Sequence, residues 1–224
     1  MSIDTEPAAV ETLADFVDRL GGVPLDRIRF RPVPGTATEN DVLEIERREN
    51  RLFELVDGVL VEKAVGYRES LLAVAIATYL NQYVLPRNLG LVTGEGGMLR
   101  LFPGLVRIPD VAFVRWESIP GGQVPKDPIP DLAPDLAVEV LSRSNTPQEM
   151  KRKRNEYFAA GVRVVWMIDP EARAVSVFTA PAESKQLTSA DTLTGAPVLT
   201  DFSLPLSELF NHLDRQADRE NQAT

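Results

Sequence analysis

The segment Asp135-Leu136-Ala137-Val138-Glu139-Val140-Leu141 constrains the fold more than any other part of the chain. Successive side chains of a strand point to opposite faces. Leu136, Val138 and Val140 therefore share one face, and Ala137, Glu139 and Leu141 share the other. Both faces are apolar apart from one carboxylate, so the segment reads as a central strand covered by a layer on each side. Residues 68–85 carry Leu71, Leu72, Val74, Ala75, Ile76, Tyr79, Leu80 and Tyr83, the pattern of a long, largely buried helix closed by Pro86 and Gly90. Pro147 to Ala160 reads as a second helix, followed by Val164–Ile168, an apolar run suited to a buried strand. Strand, helix and strand in that order predict an α/β fold with a mixed central β-sheet flanked by helices.

The remaining elements follow from period and punctuation. Residues 8–20 have helical spacing, 32–38 form a loop, and 39–49 predict a short helix. Leu52–Val56 and Val59–Glu62 are joined at Asp57-Gly58, a strong hairpin signal. Short strands are expected at 91–93, 98–102, 111–114 and 174–178, with further β segments to about 199 and a helix at 206–213. A proline- and glycine-rich loop spans 119–134. This gives an N-terminal helix and loop extension over 1–37, one domain over 38–213 and a polar tail over 214–224.

A charge buried alone is costly, so the Glu139 carboxyl must neutralise, pair or hold a cation. Asp110 follows Pro109 and opens the apolar run Val111–Val114, a position equally suited to a turn or a site. Glu54 lies between Phe53 and Leu55 in the first hairpin strand, where an edge position would leave it solvated. In the helix after Glu139, Thr146 suits the N-cap, Pro147 the first turn, and Glu149 a capping box. Spacing then sets Met150, Lys153, Tyr157 and Phe158 on the inward side, with Arg154 at its margin. Lys153 thus faces the strand that carries Glu139, either as a structural ion pair or as part of a site.

The 224 residues include no cysteine and a single histidine, His212. Thiolate metal sites, iron–sulfur clusters, cysteine nucleophiles and histidine-rich centres are excluded. Carboxylates, lysines and hydroxyls remain, and their natural metal is a hard cation. Two carboxylates and a backbone carbonyl can hold magnesium, which polarises a phosphoryl oxygen, while a lysine orients water or stabilises charge at phosphorus. That combination suits phosphodiester hydrolysis.

Four ordered blocks resemble a known family. They are Phe53-Glu54-Leu55-Val56-Asp57-Gly58, Ile108-Pro109-Asp110-Val111-Ala112-Phe113, Pro134-Asp135-Leu136-Ala137-Val138-Glu139-Val140-Leu141-Ser142, and Lys153 with Tyr157, Ala160-Gly161-Val162 and Trp166–Pro170. Together, across about residues 38–210, they are similar to the Uma-two restriction-endonuclease family of bacteria, within the PD-(D/E)XK nuclease superfamily. The resemblance implies a restriction-endonuclease-like fold and a metal-dependent endonuclease. It assigns Asp110 and Glu139 as metal-binding acids, Glu54 as a further metal- or water-binding acid, and the Val140 carbonyl as the neutral ligand. The superfamily's simplest lysine position is Leu141 here, and the resemblance implies Lys153 as its displaced counterpart on the next helix. The histidine of many relatives is missing near the start of the long helix, where this chain has Tyr67-Arg68-Glu69-Ser70. The implied cofactor is Mg2+, with Mn2+ as a substitute, and the implied substrate is DNA.

The net charge of -9 disfavours nucleic acid over the surface as a whole. Between 139 and 163, however, six basic residues stand against three acids, and Lys151, Arg152 and Arg154 could meet phosphates. The same cluster also reads as a solvated helix face. No apolar run approaches the ~18–20 residues that span a bilayer, and no secretory pattern opens the chain, so a cytoplasmic protein without membrane contact is expected. A second copy could cover the sheet edges as a homodimer. The functional readings are a magnesium-dependent endodeoxyribonuclease, an inactive DNA- or protein-binding module on the same fold, and a carboxylate-pair hydrolase of another substrate.

Overall fold

The computed structural model describes residues 12–64 and 66–215; the first part of the expected N-terminal helix and the end of the polar tail lie outside the described residues. Helix α1 (Leu13–Arg19) begins at Thr12, whose hydroxyl accepts from the Asp15 N–H in a capping box. After strand β1 (Ile28–Arg29), α2 (Glu39–Glu49) starts at Thr38, whose N–H and hydroxyl both donate to Asp41 Oδ2, at 2.8 and 2.6 Å. Strands β2 (Phe53–Val56) and β3 (Val59–Glu62) form the expected hairpin. Both turn residues take positive φ, 51° at Asp57 and 70° at Gly58, the conformation for which Asp-Gly is suited. The long helix α3 (Tyr67–Val84) leads into β4 (Gly90–Thr93), β5 (Leu99–Phe102), β6 (Leu105–Arg107) and β7 (Val111–Arg115). Then come β8 (Leu136–Val140), α4 (Pro147–Ala159), β9 (Val164–Asp169) and β10 (Ala174–Ala180). The chain continues through β11 (Glu183–Thr188), β12 (Thr192–Gly195), β13 (Leu199–Pro205) and α5 (Leu206–Asn211).

The expected mixed sheet is present. Six strands run in the order β11-β10-β9-β8-β7-β4. All its pairs are antiparallel except β8 with β9, which are joined by α4 as the crossover. The alternation along β8 sends Leu136, Val138 and Val140 into one core with Leu72, Ile76 and Leu80 of α3. Ala137 enters the opposite core with Met150 and Tyr157 of α4. Helices therefore cover both faces of β8, as its two-sided apolar pattern requires.

A second sheet, not anticipated from the sequence, stands beside the first. It is wholly antiparallel, in the order β1-β3-β2-β6-β5. Strand β6 has only three residues between Gly104 and Pro109, too few to show an alternation. It places β2 inside the sheet, between β3 and β6. Glu54 is consequently not on a solvated edge strand; it is 0 % exposed. From β6 the chain passes through Ile108-Pro109-Asp110 directly into β7, so this short connection joins the two sheets. Among the described residues, no helix is long and apolar enough to cross a membrane.

The hairpin turn also supports the chain before α2: the Gly58 carbonyl accepts from the N–H groups of Gly35 and Ala37, both at 2.9 Å. A methyl group on Gly58 would stand 2.5 Å from the Gly35 oxygen, on a backbone already at positive φ. Gly58→Ala is expected to destabilise the protein by about 2 kcal/mol, read as a lower urea midpoint with an unchanged slope.

Candidate active site

The junction of the two sheets gathers the charged residues that the cores cannot absorb. On α4 the register holds: Met150, Lys153 and Tyr157 are buried and Lys151 is exposed. The Thr146 hydroxyl accepts from the Glu149 N–H, as an N-cap should. The Glu149 side chain does not complete a capping box. It pairs instead with Arg27, at 2.9 and 3.0 Å, in a buried two-pronged contact.

The inward side of α4 delivers Lys153 between two acids. Its Nζ lies 3.0 Å from Glu54 Oε1 and 3.6 Å from Glu139 Oε2. One turn later, the Tyr157 hydroxyl donates to Glu139 Oε1 at 2.5 Å. Glu54 is fully engaged. Its Oε2 meets Arg107 at 2.7 Å, and its Oε1 accepts the Ile108 N–H at 3.1 Å as well as facing Lys153. Arg107 also holds Glu156, through Nε at 2.8 Å.

Asp110 comes from the other side of the junction. Val111 pairs with Val138, so the register sets Asp110 opposite Glu139, on the face of the sheet that α4 covers. Asp110 donates its N–H to the Val138 carbonyl and accepts the Val140 N–H at Oδ2, at 2.6 Å. Its Oδ1 lies 2.8 Å from the ammonium of Lys63, which also donates to the Ile108 carbonyl. The four acidic and basic residues expected at the site, Glu54, Asp110, Glu139 and Lys153, thus converge. The sequence reading missed Lys63 and Arg107. A weak signal existed for Lys63, which continues the buried alternation of Val59 and Val61 past the end of β3.

The local charges are strongly coupled. Burial works to raise the Glu54 pKa, but Lys153, Arg107 and Lys63 overcome it and hold the carboxylate well below its usual range. Glu139 goes the other way. Burial raises it, Lys153 and Lys63 oppose, and the negative charges of Asp110 and Glu54 add to the rise. Burial pushes Lys153 down, yet Glu139 and Glu54 outweigh it and hold the amine above its ordinary pKa as an ammonium. The Tyr157 hydroxyl is raised by burial and by Glu139, so it remains a donor.

Around the site, a cleft of 700 Å³ is lined by Arg27, Arg51, Glu62, Lys63 and Ser144. It shares Ser144 with a 490 Å³ cavity bordered by Arg68 and Arg143, and that cavity shares Arg143 and Glu69 with a third of 380 Å³. Of the expected phosphate contacts, Lys151 is exposed. Arg152 is tied to Asp57 and Glu156 at 3.0 and 2.7 Å, and the Arg154 guanidinium stacks 4.3 Å over Phe178. Among the described residues, no three acidic or histidine side chains stand ready-made as a metal cage. His212 packs against Tyr79 of α3, with its Nε2 3.2 Å from the hydroxyl, and takes no part in this cluster.

A family model described as Uma2, "Putative restriction endonuclease", matches residues 39–207. The chain belongs to the Uma2 family. The matched span includes every acid, lysine and arginine of the junction named above except Arg27. Among solved structures, a putative nuclease belonging to DUF820 from Anabaena variabilis ATCC 29413 is similar, with a TM-score of 0.67 at 19% identity. The similarity covers 79% of this chain and 98% of that one. The Uma2 chain therefore has the restriction-endonuclease-like fold. A comparison with curated proteins found no match.

Neutralising the two buried glutamates should change stability with opposite dependence on pH. Glu54→Gln leaves Arg107 and Lys153 short of a charge and should cost about 3–5 kcal/mol at neutral pH. Because Glu54's folded pKa is depressed, this contribution is full above the ordinary carboxylate range and disappears as pH falls toward the folded value. Glu139's folded pKa is raised, so its native state loses stability as pH rises through that value. Glu139→Gln should therefore cost far less than Glu54→Gln, and its stability relative to wild type should rise with pH. Urea titrations of both variants across the acidic and neutral range check the two signs.

Proposed function

We propose that the protein is a divalent-cation-dependent nuclease that hydrolyses phosphodiester bonds of DNA. One observation carries the reading: Asp110 and Glu139 face each other across β7 and β8, with the Lys153 ammonium 3.6 Å from Glu139 and fixed there by Glu54. The family description supports a nuclease and, with it, a nucleic-acid substrate.

The donor set fits Mg2+, with Mn2+ as a substitute. Asp110 and Glu139 offer hard carboxylate oxygens, and the Glu139 anion, disfavoured first by burial and further by the charges of Asp110 and Glu54, is one that a cation would relieve. These two residues would hold the ion, with the Val140 carbonyl as the neutral ligand. Glu54 has both oxygens occupied by Arg107, Ile108 and Lys153, so it acts as a positioning residue. Such an ion supplies Lewis-acid charge at a phosphoryl oxygen and makes water a better nucleophile.

The chain's own groups supply the rest. Lys153, held as an ammonium, is a donor and not a base. It orients water by hydrogen bonding and stabilises negative charge that grows on the phosphoryl oxygens. Glu54 keeps it from turning away, and Arg107 keeps Glu54 in place. Tyr157 fixes one oxygen of Glu139 and leaves the other toward Lys153. Lys151, Arg51 of the cleft and Arg143 of the neighbouring cavity would meet neighbouring phosphates, a contact weakened by salt.

A second reading rests on the cation partner that each acid already has: the cluster is then a structural ion network in a DNA-binding module. Supercoiled plasmid with Mg2+ or Mn2+ separates the two. The nuclease should nick it, and Asp110→Asn, Glu139→Gln and Lys153→Met should each lower the rate by about a hundredfold or more. Retention of DNA without nicking, with or without metal, would favour the module; nicking that survives in all three variants would place the chemistry elsewhere.

A further inference from the structure

We infer that Lys63 is a built-in counter-ion of the carboxylate pair, which competes with the divalent cation and is released into the adjoining cleft when the cation binds. The inference rests on the metal-dependent reading above and concerns a residue that reading does not use.

The first argument is position. Asp110 Oδ2 is taken by the Val140 N–H, and Lys63 takes the remaining oxygen, Oδ1, at 2.8 Å. The same ammonium reaches the Ile108 carbonyl and is close enough to lower the pKa of both Glu54 and Glu139. Lys63 therefore satisfies the carboxylate group on which a hard cation would draw.

The second argument is charge. Glu54, Asp110, Glu139 and Glu156 face Lys63, Lys153 and Arg107, four carboxylates against three cations. A dication would turn this deficit of one positive charge into an excess of one, which is costly where water is scarce, and the departure of one ammonium restores the balance. One resident cation must withdraw. Arg107 is gripped by Glu54 and Glu156, and Lys153 is held on the inward side of α4 between two glutamates. Lys63 has a single carboxylate partner, a flexible four-carbon stem and a place in the wall of the 700 Å³ cleft. It is the one free to turn out. Its ammonium would then enter a wall that carries Arg27 and Arg51 together with the acids Asp26, Glu62 and Glu95, which offer it carboxylates in exchange for Asp110.

Calorimetry of Mn2+ binding to the full chain, without DNA, tests this. Lys63→Met should bind Mn2+ at least about tenfold more tightly than wild type, and Asp110→Asn should bind it poorly. Affinity unchanged or weakened in Lys63→Met, with uptake still dependent on Asp110, would overturn the counter-ion and leave the ion site standing. Absence of uptake in both wild type and Lys63→Met would overturn the metal-dependent reading and this inference with it. A measurement on the wild-type chain covers the case in which Lys63→Met does not fold. Acetic anhydride labelling followed by peptide mass spectrometry should show Lys63 several-fold more reactive with saturating Mn2+ than without. Equal labelling in the two conditions would refute its release.

Discussion

Glu54 is a carboxylate with no access to water, and much of the architecture around the junction exists to satisfy it. A buried ion of this kind is tolerated only with close counter-charges and with its lone pairs engaged. Two separate parts of the chain provide them: Arg107 and the Ile108 peptide, where β6 passes into the sheet-to-sheet connection, and Lys153 from α4. The requirement thereby binds the second sheet to the helix that covers the first. It also fixes Lys153 with far less freedom than a lysine has on a surface, where holding so long a side chain in one geometry costs entropy.

The acid pair opposite Lys153 has a different energetic character. Asp110 and Glu139 are brought face to face by strand pairing, and burial together with like charge disfavours the ionised Glu139. Folding alone would be better served by an apolar residue at this point of β8. A charge held there against its preference is a common mark of a functional position. The contrast within one cluster is informative: Glu54 is stabilised as an anion, whereas Glu139 is strained as one. Under the proposed function, the first is the support and the second the working group. The upward shift of Lys153, which Glu139 and Glu54 impose against burial, belongs to the same division, because it favours the ammonium, which stabilises charge, over the free amine, which takes up a proton.

What was legible in the sequence depended on local periodicity. Strand β8 and α4 were readable because alternation and 3.6-residue spacing are carried by the segments themselves, and the two patterns together pointed Lys153 at Glu139. The hairpin was readable through Asp57-Gly58. Only the local reading of Glu54 as a solvated edge residue failed, because burial depends on which strand lies alongside, and the neighbour, β6, is too short to announce itself. The same short strand hid the second sheet and the role of Arg107. Glu149 fits a capping box by spacing, yet a guanidinium distant in sequence outcompeted the local backbone for its carboxylate. Asp110 and Lys63 meet only because β3 and the β6–β7 connection end at the same place, which no window of sequence contains.

That last point extends to residues before the matched family region, which begins at residue 39. Arg27 is buried and forks onto Glu149 in the first turn of α4, while also holding the carbonyls of Glu62 and Ser144. The Thr146 hydroxyl, while capping that helix, donates to the Gly21 carbonyl, and Gly21 sits at a φ of 88° against the Glu149 backbone, too close for a side chain. The start of α4 is therefore clamped from outside the matched span. Glu149 and Lys153 are four residues apart, one turn along the same side of the helix. The position of the ammonium between its two glutamates consequently depends on a segment that carries none of the site's chemistry, and the extension is better understood as part of the scaffold of the site than as an appendage to it.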